Sequence, residues 1–316
     1  MKQSFRFYVK LINVIMFITL TNICFAQDTT VTGLKTASAM EIKKDKIDSS
    51  KLWNTGGLFT LHFGQGSQSN WAAGGDDFSL SLNSGLDLYA FYKKDRWSWD
   101  NTLSLDYGFV KTTSLGVRKN DDRIDLLSKA GYALKPKLSL STLVNFHSQF
   151  TKGYDYTSAG TFTLLSDFLS PGYLLWSLGL DYKPVDGLSV FISPIASRWT
   201  FVINDTLSAK GSYGLDPGEK VRNEIGAFAS ITYIKNISKQ ISYNGRLDLF
   251  SNYEHNPQNV DLNWTNSFDA KISKLLTASF KFDMIYDDDV KLFGPNNDSP
   301  GLQVKSLLGV GLTVKL

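Results

Sequence analysis

From residue 53 onward the chain alternates polar and apolar side chains with a period of two. In 78–92, Phe78, Leu80, Leu82, Leu86, Leu88, Ala90 and Tyr92 share one parity, and Ser79, Ser81, Asn83, Gly85, Asp87 and Tyr89 the other. In 97–111, Trp97, Trp99, Leu103, Leu105, Tyr107 and Phe109 stand against Ser98, Asp100, Thr102, Ser104, Asp106 and Gly108. Successive side chains of a strand point to opposite faces, so each segment reads as a strand that is oily on one face and polar on the other. Similar segments at 57–66, 123–134, 138–151, 173–183, 188–202, 221–235, 241–253, 260–272, 276–287 and 302–316 bring the number to twelve. No window of about 18 apolar residues follows Trp53, so helical membrane spans are not expected.

The connections alternate as strictly as the side chains. Tight turns are expected at 93–96, 135–137, 184–187, 236–239 and 273–275, and longer links rich in Gly, Asn, Asp, Ser and Pro at 67–77, 112–122, 152–172, 203–220, 254–259 and 288–301. Short turns at one end and long loops at the other mark an outer-membrane barrel. On the oily parity, Tyr92, Trp97, Tyr132, Tyr182, Tyr233 and Tyr243 flank the short turns, and Phe78, Phe109, Phe150, Tyr253 and Tyr286 lie toward the long loops, as two interfacial girdles would. A soluble β-sandwich is the competing reading, but its strands average about 5–6 residues. The expected fold is all-β, an antiparallel transmembrane β-barrel of about twelve strands after a cleaved signal peptide.

With the oily parity in lipid, the polar parity lines the lumen. There stand Asp87, Asp100, Asp106, Asp125, Asp181, Glu224, Asp248, Asp269 and Asp283, with Arg123, Lys129, Arg222, Arg246, Lys271, Lys281 and Lys305. Near balance of the two signs points to ion pairs filling a narrow lumen rather than to a filter, which shows a ring of one sign. Bulky inward residues, Tyr89, Phe91, Leu127, Leu143, Phe228 and Ile285, add constriction. Twelve strands lie between the eight that side chains fill and the sixteen or so that leave an aqueous channel.

Residues 1–26 read as a secretory signal. Lys2, Arg6 and Lys10 precede the apolar run Leu11 to Leu20, and Cys24-Phe25-Ala26 offers small residues before Gln27. Residues 27–52, polar and Lys-rich without alternation, read as a flexible periplasmic tether, leaving 53–316 for the barrel. The formal charge is +3, and the first 26 residues hold three bases and no acid, so the remainder is balanced and carries no footprint for nucleic acid. The single cysteine, Cys24, leaves with the signal, which removes thiol chemistry and disulfides. No cofactor or metal site is expected. The acid runs Asp76-Asp77, Asp121-Asp122 and Asp287-Asp288-Asp289 lack EF-hand spacing and read as solvated loop charge. His62 and His147 fall on the polar parity, turned from the lipid a barrel hydrolase would act on, and no nucleophile motif accompanies them.

Five motifs give the chain a resemblance. Ser69-Asn70-Trp71-Ala72-Ala73-Gly74-Gly75, Lys119-Asn120-Asp121-Asp122, Ser148-Gln149-Phe150 with Gly153-Tyr154, Ser166-Asp167-Phe168-Leu169-Ser170-Pro171-Gly172, and Tyr213-Gly214-Leu215-Asp216-Pro217-Gly218 follow one another in order. Over roughly 53–316 the chain resembles a family of exported Bacteroidota proteins defined by domain of unknown function 3078. The resemblance implies an outer-membrane location and supplies no activity. Asn70, Trp71, Gly74 and Gly75 are candidates for a plug or ligand contact folded into the barrel mouth.

The expected function is a narrow channel or binding barrel for small solutes, in contact with outer-membrane lipid. The final strand, ending at Leu316, would be read by the barrel-assembly machinery, and both termini would be periplasmic. A structural or interaction barrel working through the long loops and the tether is one alternative. A lipid-modifying barrel enzyme using His62 or His147 is the other.

Overall fold

The computed structural model describes residues 51–68, 78–158, 161–288, 291–293 and 299–316. In chain order its strands are β1 (Trp53–Ser67), β2 (Phe78–Lys94), β3 (Trp97–Thr112), β4 (Gly116–Lys135), β5 (Leu138–Ser148), β6 (Gly153–Ser158), β7 (Thr161–Ser166), β8 (Gly172–Tyr182) and β9 (Leu188–Phe201). A short helix α1 (Asp205–Ala209) and a 3₁₀ turn (Ser212–Gly214) come next. They are followed by β10 (Val221–Asn236), β11 (Ile241–Asn252), β12 (Val260–Lys271), β13 (Leu276–Tyr286), β14 (Lys291–Phe293), β15 (Ser299–Pro300) and β16 (Gln303–Lys315). Twelve of these strands close into one ring in the order β1-β16-β13-β12-β11-β10-β9-β8-β5-β4-β3-β2, every neighbouring pair antiparallel. β6 with β7 and β14 with β15 form separate hairpins in long connections.

Ring closure pairs each of the twelve strands on both sides, the condition that hydrocarbon imposes on a β structure, with the β1/β16 pairing the shortest of the twelve. The exterior is apolar. Phe59, Leu126, Leu140, Trp176, Leu180, Ile192, Trp264, Phe280 and Leu312 all stand exposed on it. In water each would forfeit about half of the ~1.5–3 kcal/mol that full burial is worth, whereas in a bilayer each is at home. The inward face is the reverse, with Asp87, Asp125, Asp181, Glu224, Arg246 and Asp248 all buried. Near the short turns the outward aromatics pack in tilted or edge-on pairs: the ring centroids of Trp53 and Tyr92 are 5.1 Å apart, Trp97 and Tyr132 5.0 Å, and Tyr243 and Phe268 4.8 Å.

One connection and one strand differ from the sequence reading. The link expected at 112–122 is a turn of three residues, because β3 and β4 run on past the ring as a hairpin that ends with Thr112 opposite Gly116. A bulge there sets Gly108 against Asp121 and Phe109 against Lys119, so that Asn120 is the extra residue. The second difference is inside β9. Phe228 pairs with Ser193 but Gly226 with Ala196, and on the other side Leu180 pairs with Ile192 but Leu178 with Ile195. Pro194, which cannot donate to a ladder, sits in this bulge, with Gly179 of β8 and Ala227 of β10 at the breaks in register and Gly226 just beyond. A Cβ on Gly179 would collide with the Ile192 carbonyl, and one on Gly226 with the Ser251 carbonyl. Tyr253 Oη closes the outer side by donating to the Pro194 carbonyl at 2.8 Å.

Candidate functional site

The lumen divides into a filled arc and an open one. On the filled arc the inward side chains of β5, β9, β10 and β11 meet as a buried cluster of Leu143, Phe191, Ala196, Phe228 and Phe250, backed by Leu127 and Leu175. Phe191 and Phe228 ring centroids are 6.2 Å apart. Toward the long connections this cluster gives way to charge. Arg198 grips Glu224 with two bonds of 2.9 Å, reaches Asp261 at 2.7 Å and Asp287 at 3.9 Å, and lies 4.3 Å over the Phe250 ring. Arg222 adds a second cation to Glu224 at 3.2 Å, and Asn252 donates to it at 3.1 Å. A cavity of about 600 Å³ opens beside this network, lined by His147, Tyr173, Arg198, Asp261 and Asp287 among others.

The predicted lumen residues fall into separate groups around the ring. Asp125 accepts from Asn145 Nδ2 at 3.3 Å and faces His147 Nδ1 at 3.3 Å. Asp106 pairs with Arg123, and Asp87 accepts from Ser104 Oγ at 2.5 Å. Lys129 meets Asp181 at 3.1 Å, which also accepts from Ser189 Oγ at 2.6 Å, and Asp100 stands opposite Lys129 in register. Arg246 holds Asp248 at 2.8 Å on its own strand. Asp269 accepts from Ser267 and Ser279, and Asp283 stands in register between Thr265 and Lys305. Lys271 lies apart, exposed at the short-turn end of β12. The plug candidates Asn70, Trp71, Gly74 and Gly75 lie outside the described residues.

Arg198 was hidden from parity counting, whereas Asp261 and Asp287 share the inward parity of Asp269 and Asp283 and were passed over at their strand ends. In β9 the inward set runs Ser189, Phe191, Ser193 below the bulge and Ala196, Arg198, Thr200 above it. The proline within an otherwise regular strand was the available signal. The reading of Asp121-Asp122 and Asp287 as solvated charge also fails in part: Asp122 and Asp287 are both buried, the former as a loop anchor and the latter facing Arg198.

The open arc is the wall formed by β16, β1, β2 and β3. Away from Tyr89 and Phe91 near the short turns, many of its inward residues are small: Gly309 and Gly311 on β16, Thr60 and Gly64 on β1, Ser81 and Gly85 on β2. They leave a cavity of about 760 Å³ also lined by His62, Asn83, Asp106, Ser279 and Lys281. The His62 ring lies flat across Gly311, where a Cβ would collide with it.

Over the filled arc the long connections form a cap. Asp122 accepts from Phe150 N at 2.7 Å, Thr151 N at 2.9 Å, Thr151 Oγ1 at 2.9 Å and Lys119 Nζ at 2.9 Å. Gln149 Nε2 donates to the carbonyls of Asp167 at 2.7 Å and Ser170 at 3.0 Å. Asn204 donates from its side chain to Asp167 and from its backbone to Ser170 Oγ, both at 2.8 Å. Asn204 also N-caps α1. Val202, Leu207 and Leu215 bury one another with Leu164 and Tyr213 against them, a small core outside the ring. Four of the five sequence motifs supply these contacts.

A closed antiparallel ring with an apolar exterior and a charged, partly filled lumen defines a membrane-spanning β-barrel. Residues 63–154 match the family model described as Protein of unknown function (DUF3078), a stretch that holds β2 to β5 and three of the five motifs. That span is narrower than the 53–316 of the sequence resemblance. No protein of curated function matches the sequence. Among solved structures, the chain is similar to an outer membrane channel from Pseudomonas putida F1 at 13% identity, covering 83% of this chain and 94% of that one with a TM-score of 0.40. The translocator domain of autotransporter NalP from Neisseria meningitidis is similar at 12% identity, with 83% and 88% covered and a TM-score of 0.37. Outer membrane phospholipase A from Escherichia coli is similar at 11% identity, with 82% and 90% covered and a TM-score of 0.34.

Proposed function

We propose that this chain is an outer-membrane barrel that passes or holds small polar solutes along the glycine-rich wall of its lumen. The observation that carries the reading is the asymmetry of the interior: aromatics and ion pairs crowd one arc and line the space of about 600 Å³ left there, whereas the other keeps a cavity of about 760 Å³ among small polar residues. Its lining mixes Lys281 with Asp106 and Asp121, so it suits polar solutes of either sign rather than one ion type. Among the described residues, His147 is engaged by the Asp125 carboxylate and not by a hydroxyl, which supports a non-enzymatic role. The apolar exterior supports lipid contact, and the strand pattern supports periplasmic termini and insertion by the barrel-assembly machinery.

The test is single-channel recording of residues 27–316 refolded into planar bilayers. Small discrete steps are expected. Gly64→Trp should remove them, because a Cβ at Gly64 meets only Ser81 at 3.8 Å and the ring then fills the cavity without forcing the wall. Silence of the unsubstituted barrel would overturn the solute reading and leave the capped barrel as an interaction scaffold.

A further inference from the structure

The ring is joined unequally. β1 pairs with β2 at every position from Trp53 to Ser67, and β13 pairs with β16 from Leu276 to Ile285, but β1 and β16 pair only from Leu58↔Lys315 to His62↔Gly311. Carried on, that register would set Phe63 against Val310, Gln65 against Leu308 and Ser67 against Ser306. Among the described residues no pairing is made there, although both segments remain extended strand. Toward the long connections, the seam is therefore a gap in the barrel wall.

The open-arc cavity lies behind this gap. Its lining includes side chains of both faces: His62, Asn83, Asp106, Ser279 and Lys281 from the lumen, and Phe63, Leu308 and Val310 from the exterior. Phe63 is 64% exposed and Leu308 75%, so neither is buried against the other strand. Gly64 and Gly309 supply no side chain to seal the space between. One continuous space thus runs from a polar floor to an apolar rim set in the lipid-facing surface.

We infer that the β1/β16 seam is a lateral port through which the acyl chain of a bilayer lipid enters, its polar head lying at His62 and Lys281. A polar floor behind an apolar mouth matches an amphiphile whose tail stays in the bilayer, whereas a solute crossing from one aqueous side to the other needs no such mouth. The inference rests on the membrane-spanning reading and on the same cavity, but not on conduction: a silent barrel with a lipid in the port would refute only the solute reading.

The experiment places a photoreactive benzophenone side chain at Ser81, behind the gap, or at Thr232, on the filled arc, in vesicles of phosphatidylethanolamine and phosphatidylglycerol. Intact mass after illumination reads the lipid adduct, and heat-modifiable gel migration establishes that each variant is folded. An adduct is expected at Ser81 and none at Thr232. The chain lacks cysteine beyond Cys24, so the pair Gln65→Cys and Leu308→Cys can staple the gap alone. Stapling should abolish the Ser81 adduct, and reduction of the same protein should restore it. No adduct at Ser81, or an adduct indifferent to the staple, would overturn the inference.

Discussion

Replacing Asp122 by Ala should loosen the cap without loosening the ring. The Asp122 carboxylate takes two backbone N–H groups, one hydroxyl and the Lys119 ammonium, while Lys119 also donates to the Thr151 carbonyl at 2.7 Å. Charge-assisted bonds of this kind are worth about 1.5–3 kcal/mol each, and an orphaned buried amide costs about 1–3 kcal/mol. Phe150 and Thr151 are themselves exposed, so water reaches the released amides and the lower part of that range applies. A local loss of about 2–3 kcal/mol follows, which is about 30- to 150-fold in the opening equilibrium. Hydrogen exchange at the Phe150 and Thr151 amides, followed in detergent micelles, should accelerate by that factor. Amides of the paired segment Leu126 and Phe146 should keep their protection. Asp122→Asn, which retains one acceptor, should fall between. Unchanged exchange at 150 and 151, or a loss spread along all of β4, would refute the assignment of Asp122 as a loop anchor.

Arg198→Met should cost about 3–5 kcal/mol, because it takes from Glu224, Asp261 and Asp287 the cation they share and leaves Arg222 on Glu224 alone. The urea midpoint of the barrel in micelles reads this, and an unmoved midpoint would mean that water already solvates the site. Lys220 donates to Asp205 at 2.7 Å on the exposed cap, and that hydrogen bond, with the Lys220 charge, holds the Asp205 carboxyl below its ordinary value. A depressed carboxyl contributes above its unfolded value and loses that contribution as pH falls through the folded one. Lys220→Ala should return the Asp205 titration upward, as an NMR titration would follow, and salt should do the same in the unsubstituted protein.

The ring was legible in the sequence because strand parity is a local property that lipid on one side and water or ions on the other make unambiguous. Phe78 to Tyr92 and Trp97 to Phe109 are oily at alternate positions with hardly an exception, and the structure forms β2 and β3 from them. Parity fails wherever a strand gains a residue. Beyond Pro194 every side chain of β9 changes face, so a count carried on from Phe191 turns Arg198 outward although it is the hub of the inner charge network. Loop anchoring was equally hidden. Asp122 looks like any acid at a strand end, and only the approach of Phe150 and Thr151, nearly thirty positions along the chain, makes it a buried acceptor. The unequal seam has no sequence signature at all, since alternation specifies a strand's two faces and not how far its neighbours follow it.

Cap and seam stand in a telling relation around the ring. The cap spans β4, β5, β8, β9 and β10, and its centre, the β8/β9 pair, is diametrically opposite the β1/β16 pair in the strand order. A hoop braced along one arc and thinly joined on the other does not yield evenly under load. Compliance concentrates at the thin joint, and the braced side acts as its hinge plate. Lateral pressure in the bilayer, or a change in its thickness, would therefore act on this molecule mainly as a change in the width of one slot.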